Sequence, residues 1–118
     1  MAKINLEPLR ELDGYMAAAL VDAESGMLLG SDGAGVDLDI AASGNTEVLR
    51  AKRKVANALQ LNDVIEDILI SLTKQYHLIR PLDSNQKLFL YLVLDRSKSN
   101  LAMARNELRT FEKSIDFS

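Results

Sequence analysis

Residues Asp37–Gln60 read DLDIAASGNTEVLRAKRKVANALQ, a stretch without proline. Apolar or small residues recur at helical spacing: Ile40, Gly44, Val48, Ala51, Val55 and Leu59, with Ala41, Leu49 and Ala56 alongside. The spacing predicts one helix, roughly 35 Å long at about 1.5 Å per residue. That exceeds what covering a small sheet requires. Its seam is built from small side chains, and an interior glycine costs about 1 kcal/mol relative to alanine. Close approach of another backbone at Gly44 would account for that cost. The alternative is a break into two shorter helices, with Ser43-Gly44-Asn45 as the turn.

Outward from this stretch the period changes. On the N-terminal side, Asn5–Leu12 reads as a short helix with Pro8 in its first turn, stopped at Asp13-Gly14. Tyr15–Val21 is an apolar run read as a buried strand, and Met27–Gly30 is a second strand reached through the turn Asp22–Gly26. Ser31–Gly35 is read as loop, and Asp37 or Asp39 starts the long helix. On the C-terminal side, Ile68, Ile70 and Leu72 alternate with Leu69, Ser71 and Thr73, the two-residue repeat of a strand. Lys74-Gln75 links it to Tyr76–Leu82. Lys87–Leu94 (KLFLYLVL) is the most continuously apolar segment and is expected at the centre of the sheet. Asn100 caps a last helix whose core face is Leu101, Ala104, Leu108, Phe111 and Ile115.

Placing the last strand beside the first joins the two strand groups. The long helix then carries the chain across the sheet, a span of about 20 Å at the usual strand spacing. This leaves Asp67–Thr73 on an edge that is apolar and nearly uncharged. Such an edge tends to pair with another chain. The expected seam between two copies is therefore Ile68, Ile70 and Leu72 on the strand, with Ile40, Gly44, Val48, Ala51 and Val55 on the helix.

Composition excludes several functions. The chain of 118 residues has 47% hydrophobic and 26% charged residues, in the range of one folded domain spanning 1–118. A net charge of −3 gives no electrostatic footprint for nucleic acid. Without cysteine there is neither a disulfide framework nor a thiolate metal site. Met1–Asn5 lacks the look of a secretory signal, and no apolar run approaches the roughly 20 residues of a membrane span. A cytoplasmic location without membrane insertion is expected.

The candidate sites are few. Arg50, Arg53 and Lys54, with Asn57, form a basic patch on the long helix, either a solvated face or a surface for an acidic partner. His77 is the single histidine and is expected to bond locally. Gly30–Gly35 (GSDGAG) has neither the lysine nor the glycine order of a phosphate-binding loop. Glu66 and Asp67 would point to opposite faces of a strand. Met16, Met27 and Met103 read as core filler. No catalytic set, metal set or cofactor motif emerges, so an enzyme is not expected.

The segments GYMAAALVDAESGMLLGS (Gly14–Ser31), YHLIRPL (Tyr76–Leu82) and LFLYLVLDRSKSNLAMARNELR (Leu88–Arg109) resemble the roadblock / dynein light chain family, also known as roadblock/MglB domains. The likeness runs from Leu6 to about Phe111. It implies an α+β, profilin-like sandwich: a five-stranded antiparallel sheet in the order 2-1-5-4-3, the long helix on one face and the terminal helices on the other. It further implies a homodimer through the third strand and the long helices. Its members act as scaffolds or regulators of small Ras-like GTPases, or as light chains gripping a motor peptide. A PAS-like small-molecule sensor is the alternative, although the sequence offers few buried polar candidates beyond Ser71, Thr73 and His77 to line its pocket.

Overall fold

The computed structural model describes residues 4–115, so the reading of the first three residues as free of a secretory signal lies outside it. A short 3-10 helix (Glu7–Glu11, here η1) precedes β1 (Tyr15–Asp22), β2 (Leu28–Gly33) and α1 (Leu38–Ala58). There follow β3 (Ile68–Ser71), β4 (Gln75–Pro81), β5 (Leu88–Asp95) and α2 (Leu101–Ser114). The strands form one five-stranded sheet in the order β2-β1-β5-β4-β3, antiparallel throughout. This is the expected sandwich.

The sheet has two apolar faces because successive side chains of a strand point opposite ways. On one face Ala18, Leu20, Leu78, Leu90 and Leu92 pack under η1 and α2, against Leu9, Leu108 and Phe111. On the other, Ala17, Ala19, Ile79, Tyr91 and Val93 pack under α1, against Ala42 and Leu49. Strand β5 is hydrogen-bonded on both edges and covered on both faces, which is why its sequence is apolar without alternation. The alanines of β1 keep the sheet thin under α1.

Helix α1 is unbroken through Ser43-Gly44-Asn45 and is capped by Asp37, whose side chain accepts from the Ile40 amide. Asn100 caps α2 in the same way through the Met103 amide. The first helix is only five residues of 3-10 geometry, with Pro8 near its start. Strand β2 runs on to Gly33, so Ser31–Gly33 is strand and not loop. Gly33 sits at φ +91° opposite Ala17, where an added Cβ would lie 2.3 Å from the Met16 carbonyl oxygen. Only glycine lets the two backbones approach that closely.

Strand β3 is shorter than Asp67–Thr73. Leu72 falls in the turn that follows, its amide bonded to the Gln75 carbonyl. Met27 and Met103 are 66% and 59% exposed, so neither fills the core. Each lies at the margin of its element, where the apolar periodicity does not hold it inward.

Candidate interaction surface

The edge of the sheet at β3 is bonded only to β4, with Ile68 opposite Ile79, Leu69 opposite Leu78, Ile70 opposite His77 and Ser71 opposite Tyr76. Its other side presents peptide groups without a strand partner among the described residues. The pleat sends Ile68 and Ile70 to the α1 face and Leu69 to the α2 face. Both isoleucines are half-buried.

Charged groups clamp this edge at its two ends. Before it, Asp67 takes two bonds from the Arg105 guanidinium, at 2.9 and 3.2 Å, and Glu66 meets Arg109 at 3.4 Å. Both carboxylates thus reach toward α2. They do not diverge as the strand reading of Glu66 and Asp67 required, because the regular strand begins only at Ile68. After the edge, Arg96 donates to the Leu72 carbonyl at 3.1 Å and stacks on the Tyr76 ring, 5.0 Å from its centroid.

Helix α1 has two faces. Ala42, Thr46 and Leu49 are buried against the sheet. Thr46 satisfies its hydroxyl on the Ala42 carbonyl at 2.7 Å. On the outward side lie Ile40, 71% exposed, Val48 at 39% and Val55 at 47%, with exposed Gly44 and Ala51 between them. A Cβ at Gly44 would meet no atom within 4 Å. An open hollow of about 360 Å³, lined by Val48, Lys52, Ile65 and Ile68 among others, connects this stripe to the β3 edge. Of the expected seam residues, Val48 of the helix and Ile68 of the strand meet at this hollow, and Leu72 sits in the turn beyond β3.

The basic patch divides. Arg50 pairs with Glu47 at 2.9 Å and also donates to the Glu24 carbonyl in the β1–β2 turn. Arg53 donates to the Gln86 carbonyl at 2.7 Å and to its side chain at 3.3 Å, and burial pulls the Arg53 pKa down. Both arginines tether loops. Lys54 and Asn57 are exposed and have no side-chain partner among the described residues.

His77 is bonded on both ring nitrogens, to the Gln75 side chain at 2.8 Å and to the Tyr91 hydroxyl at 2.9 Å. Burial lowers its pKa, which favours the neutral ring: Nδ1 accepts from Tyr91 while Nε2–H donates to Gln75. No cluster of three His, Cys, Asp or Glu side chains able to hold a metal exists among the described residues. No buried side-chain nitrogen or oxygen among them lacks a partner.

Two polar groups escaped the sequence reading. Arg80 on β4 is 2% exposed and pairs with Glu112 of α2 at 3.2 Å, while Glu112 also accepts from the Asp83 amide at 2.8 Å. The signal was present: Glu112 follows Ala104 and Leu108 at core spacing, and Arg80 interrupts an apolar strand. Asp32 on β2 accepts from Tyr15 at 2.5 Å and, bidentately, from Arg10 of η1 at 2.9 and 2.5 Å. Arg10 and then Tyr15 hold the Asp32 carboxyl below its usual pKa.

No family model and no curated protein sequence matches the chain. Solved structures do. The Roadblock/LC7 domain from Streptomyces avermitilis superposes with TM-score 0.80 at 14% identity, over 92% of this chain and 88% of that one. The gliding protein MglB from Thermus thermophilus gives 0.72 at 18% identity, over 93% and 87%. MglC from Myxococcus xanthus gives 0.57 at 20% identity, over 92% and 91%. No helix among the described residues is long and apolar enough to cross a membrane. In element order, sheet order and helix placement, this chain has a roadblock/MglB-like fold.

Proposed function

We propose that the protein is a homodimeric, non-enzymatic cytoplasmic platform that binds a small Ras-like GTPase. The observation that carries the dimer is continuity. Val48 of the outward stripe, which also exposes Ile40 and Val55, shares an open hollow with Ile65 and with Ile68 of the unpaired β3 edge. A two-fold axis normal to the sheet beside β3 pairs the two edges antiparallel and sets both α1 helices on the same face. Gly44 and Ala51 then lie where the helices approach most closely. Ile68 and Ile70 flank the seam.

The GTPase half rests on the likeness to MglB and MglC structures and on the patch beside the stripe. With Arg50 and Arg53 engaged in loop tethers, Lys54 and Asn57 are the patch residues free to meet a partner. A local basic surface on an acidic protein steers an acidic partner.

Sedimentation over a range of concentrations tests the dimer, with Ser71→Lys placing a charge on the edge strand. The wild type is expected to sediment as a dimer and the variant as a monomer. A wild-type monomer whose β3 amides resist hydrogen exchange would overturn the dimer. Co-sedimentation with a GTP-loaded small GTPase, lost in Lys54→Glu, tests the second half separately.

A further inference from the structure

On the face away from α1, η1 and the first turns of α2 leave a groove of about 420 Å³ between them. Pro8, Leu12 and Met103 are its apolar lining, and the carboxylates Glu11, Asp13 and Glu107 line it beside Asn100 and Asn106. Met103 stands on a packed helix with 59% of its surface exposed. None of these three carboxylates has an ion-pair partner among the described residues. The nearby cation, Arg10, is committed to Asp32 at 2.5 Å and faces Glu7 at 3.9 Å. The positive end of α2, capped by Asn100, contributes about half a charge, too little to offset three carboxylates.

We infer that this groove docks a basic amphipathic segment of another protein, an apolar side chain seated on Met103 and Leu12 with flanking lysines or arginines against Glu11, Asp13 and Glu107. A trough between two helices with apolar lining is the geometry in which a partner helix lays its apolar stripe. Charge selects the sign of the partner. Arg105 and Arg109 lie outside the groove and pair with Asp67 and Glu66 before β3, so they do not neutralise its carboxylates. The site is independent of the proposed GTPase surface.

The probe is a fourteen-residue amidated peptide of leucine and lysine at helical spacing, titrated into isotope-labelled full-length chain and followed by amide shifts. Saturable shifts centred on Leu12, Asp13, Met103 and Glu107 are expected, with none from the same peptide carrying glutamate for lysine. Affinity should fall about tenfold or more from low salt to about 300 mM, since exposed charges are screened. The double variant Glu11→Lys/Glu107→Lys should weaken binding about tenfold or more at unchanged melting temperature, and Met103→Ser should weaken it several-fold. Equal binding of the glutamate peptide, shifts centred on α1, or a double variant that binds as tightly would each overturn the assignment. So would sedimentation showing a second copy of this chain already in the groove, released by the double variant.

Discussion

The two helices that sandwich the sheet are built on opposite plans. Helix α2 spans 14 residues and buries Ala104, Leu108, Phe111 and Glu112. It is also bolted to the rest of the chain by ion pairs, Glu112 to Arg80 inside and Arg105 and Arg109 to the loop before β3. Helix α1 spans 21 residues and buries only Ala42, Thr46 and Leu49. Its opposite side exposes Ile40, Val48 and Val55. A helix this long, with few residues in the core and an apolar outer stripe, has surplus surface, whereas the shorter one is consumed by the fold. Stability is thus concentrated on the α2 face and surface for association on the α1 face.

The largest expected effect tests the α2 half of that contrast. Glu112→Leu leaves Arg80 only the exposed Asp83 carboxylate, 3.2 Å away, and takes the acceptor from the Asp83 amide, so it should cost about 3 kcal/mol in denaturant unfolding. The double change Arg80→Met/Glu112→Leu should recover most of it, because the apolar pair leaves no buried charge. Neither should alter self-association measured on the folded protein. A loss of dimer alongside would mean the two faces are not separable.

Next comes the α1 half. Val48→Glu should weaken the dimer on the order of 100-fold in Kd by sedimentation, with unfolding of the dilute monomer changed by less than about 0.5 kcal/mol. If the monomer unfolds instead, the stripe belongs to the core and the contrast fails.

Gly44→Ala sharpens it further, because monomer and dimer should respond with opposite signs. In the monomer the added methyl meets no atom within 4 Å, so helix propensity should add about 0.5–1 kcal/mol to stability. In the dimer it should push the helices apart and raise Kd. A Kd left unchanged would place the close approach elsewhere along α1.

The smallest effect concerns pH. Asp32 has its folded pKa lowered by Arg10 and then Tyr15, so its contribution is fully present above the unfolded value of ~3.9 and is lost as pH falls below it. Asp32→Asn should flatten the fall in melting temperature on the acid side of pH 4 while leaving the pH 7–8 region parallel to the wild type. An unchanged acid limb would assign the acid sensitivity to other carboxylates.

Much of this architecture could be read from the chain. The core face of α2 through Leu101, Ala104, Leu108 and Phe111, the cap Asn100, a start of α1 at Asp37 or Asp39 that the structure resolves to Asp37, and the central place of KLFLYLVL each follow from spacing and capping chemistry. Where the reading missed, a longer-range contact had overridden the local signal. Ser31–Gly33 looked like loop until β1 supplied the other half of the ladder, and Glu66 and Asp67 were assigned strand faces until two arginines some 40 residues later drew both the same way. Met27 and Met103 are apolar by type, yet no neighbour closes over them.

What the sequence determined by itself was periodicity: which segments are helix or strand, which strand is buried on both sides, and that α1 carries more apolar positions than a small sheet can cover. Those features depend on residues a few places apart. Only the tertiary structure decided which α1 stripe faces the sheet, that Arg50 and Arg53 are engaged with loop carbonyls, and that Arg80 and Glu112 meet inside. Each of those depends on which distant segment arrives at a given face, and local spacing does not encode that arrival.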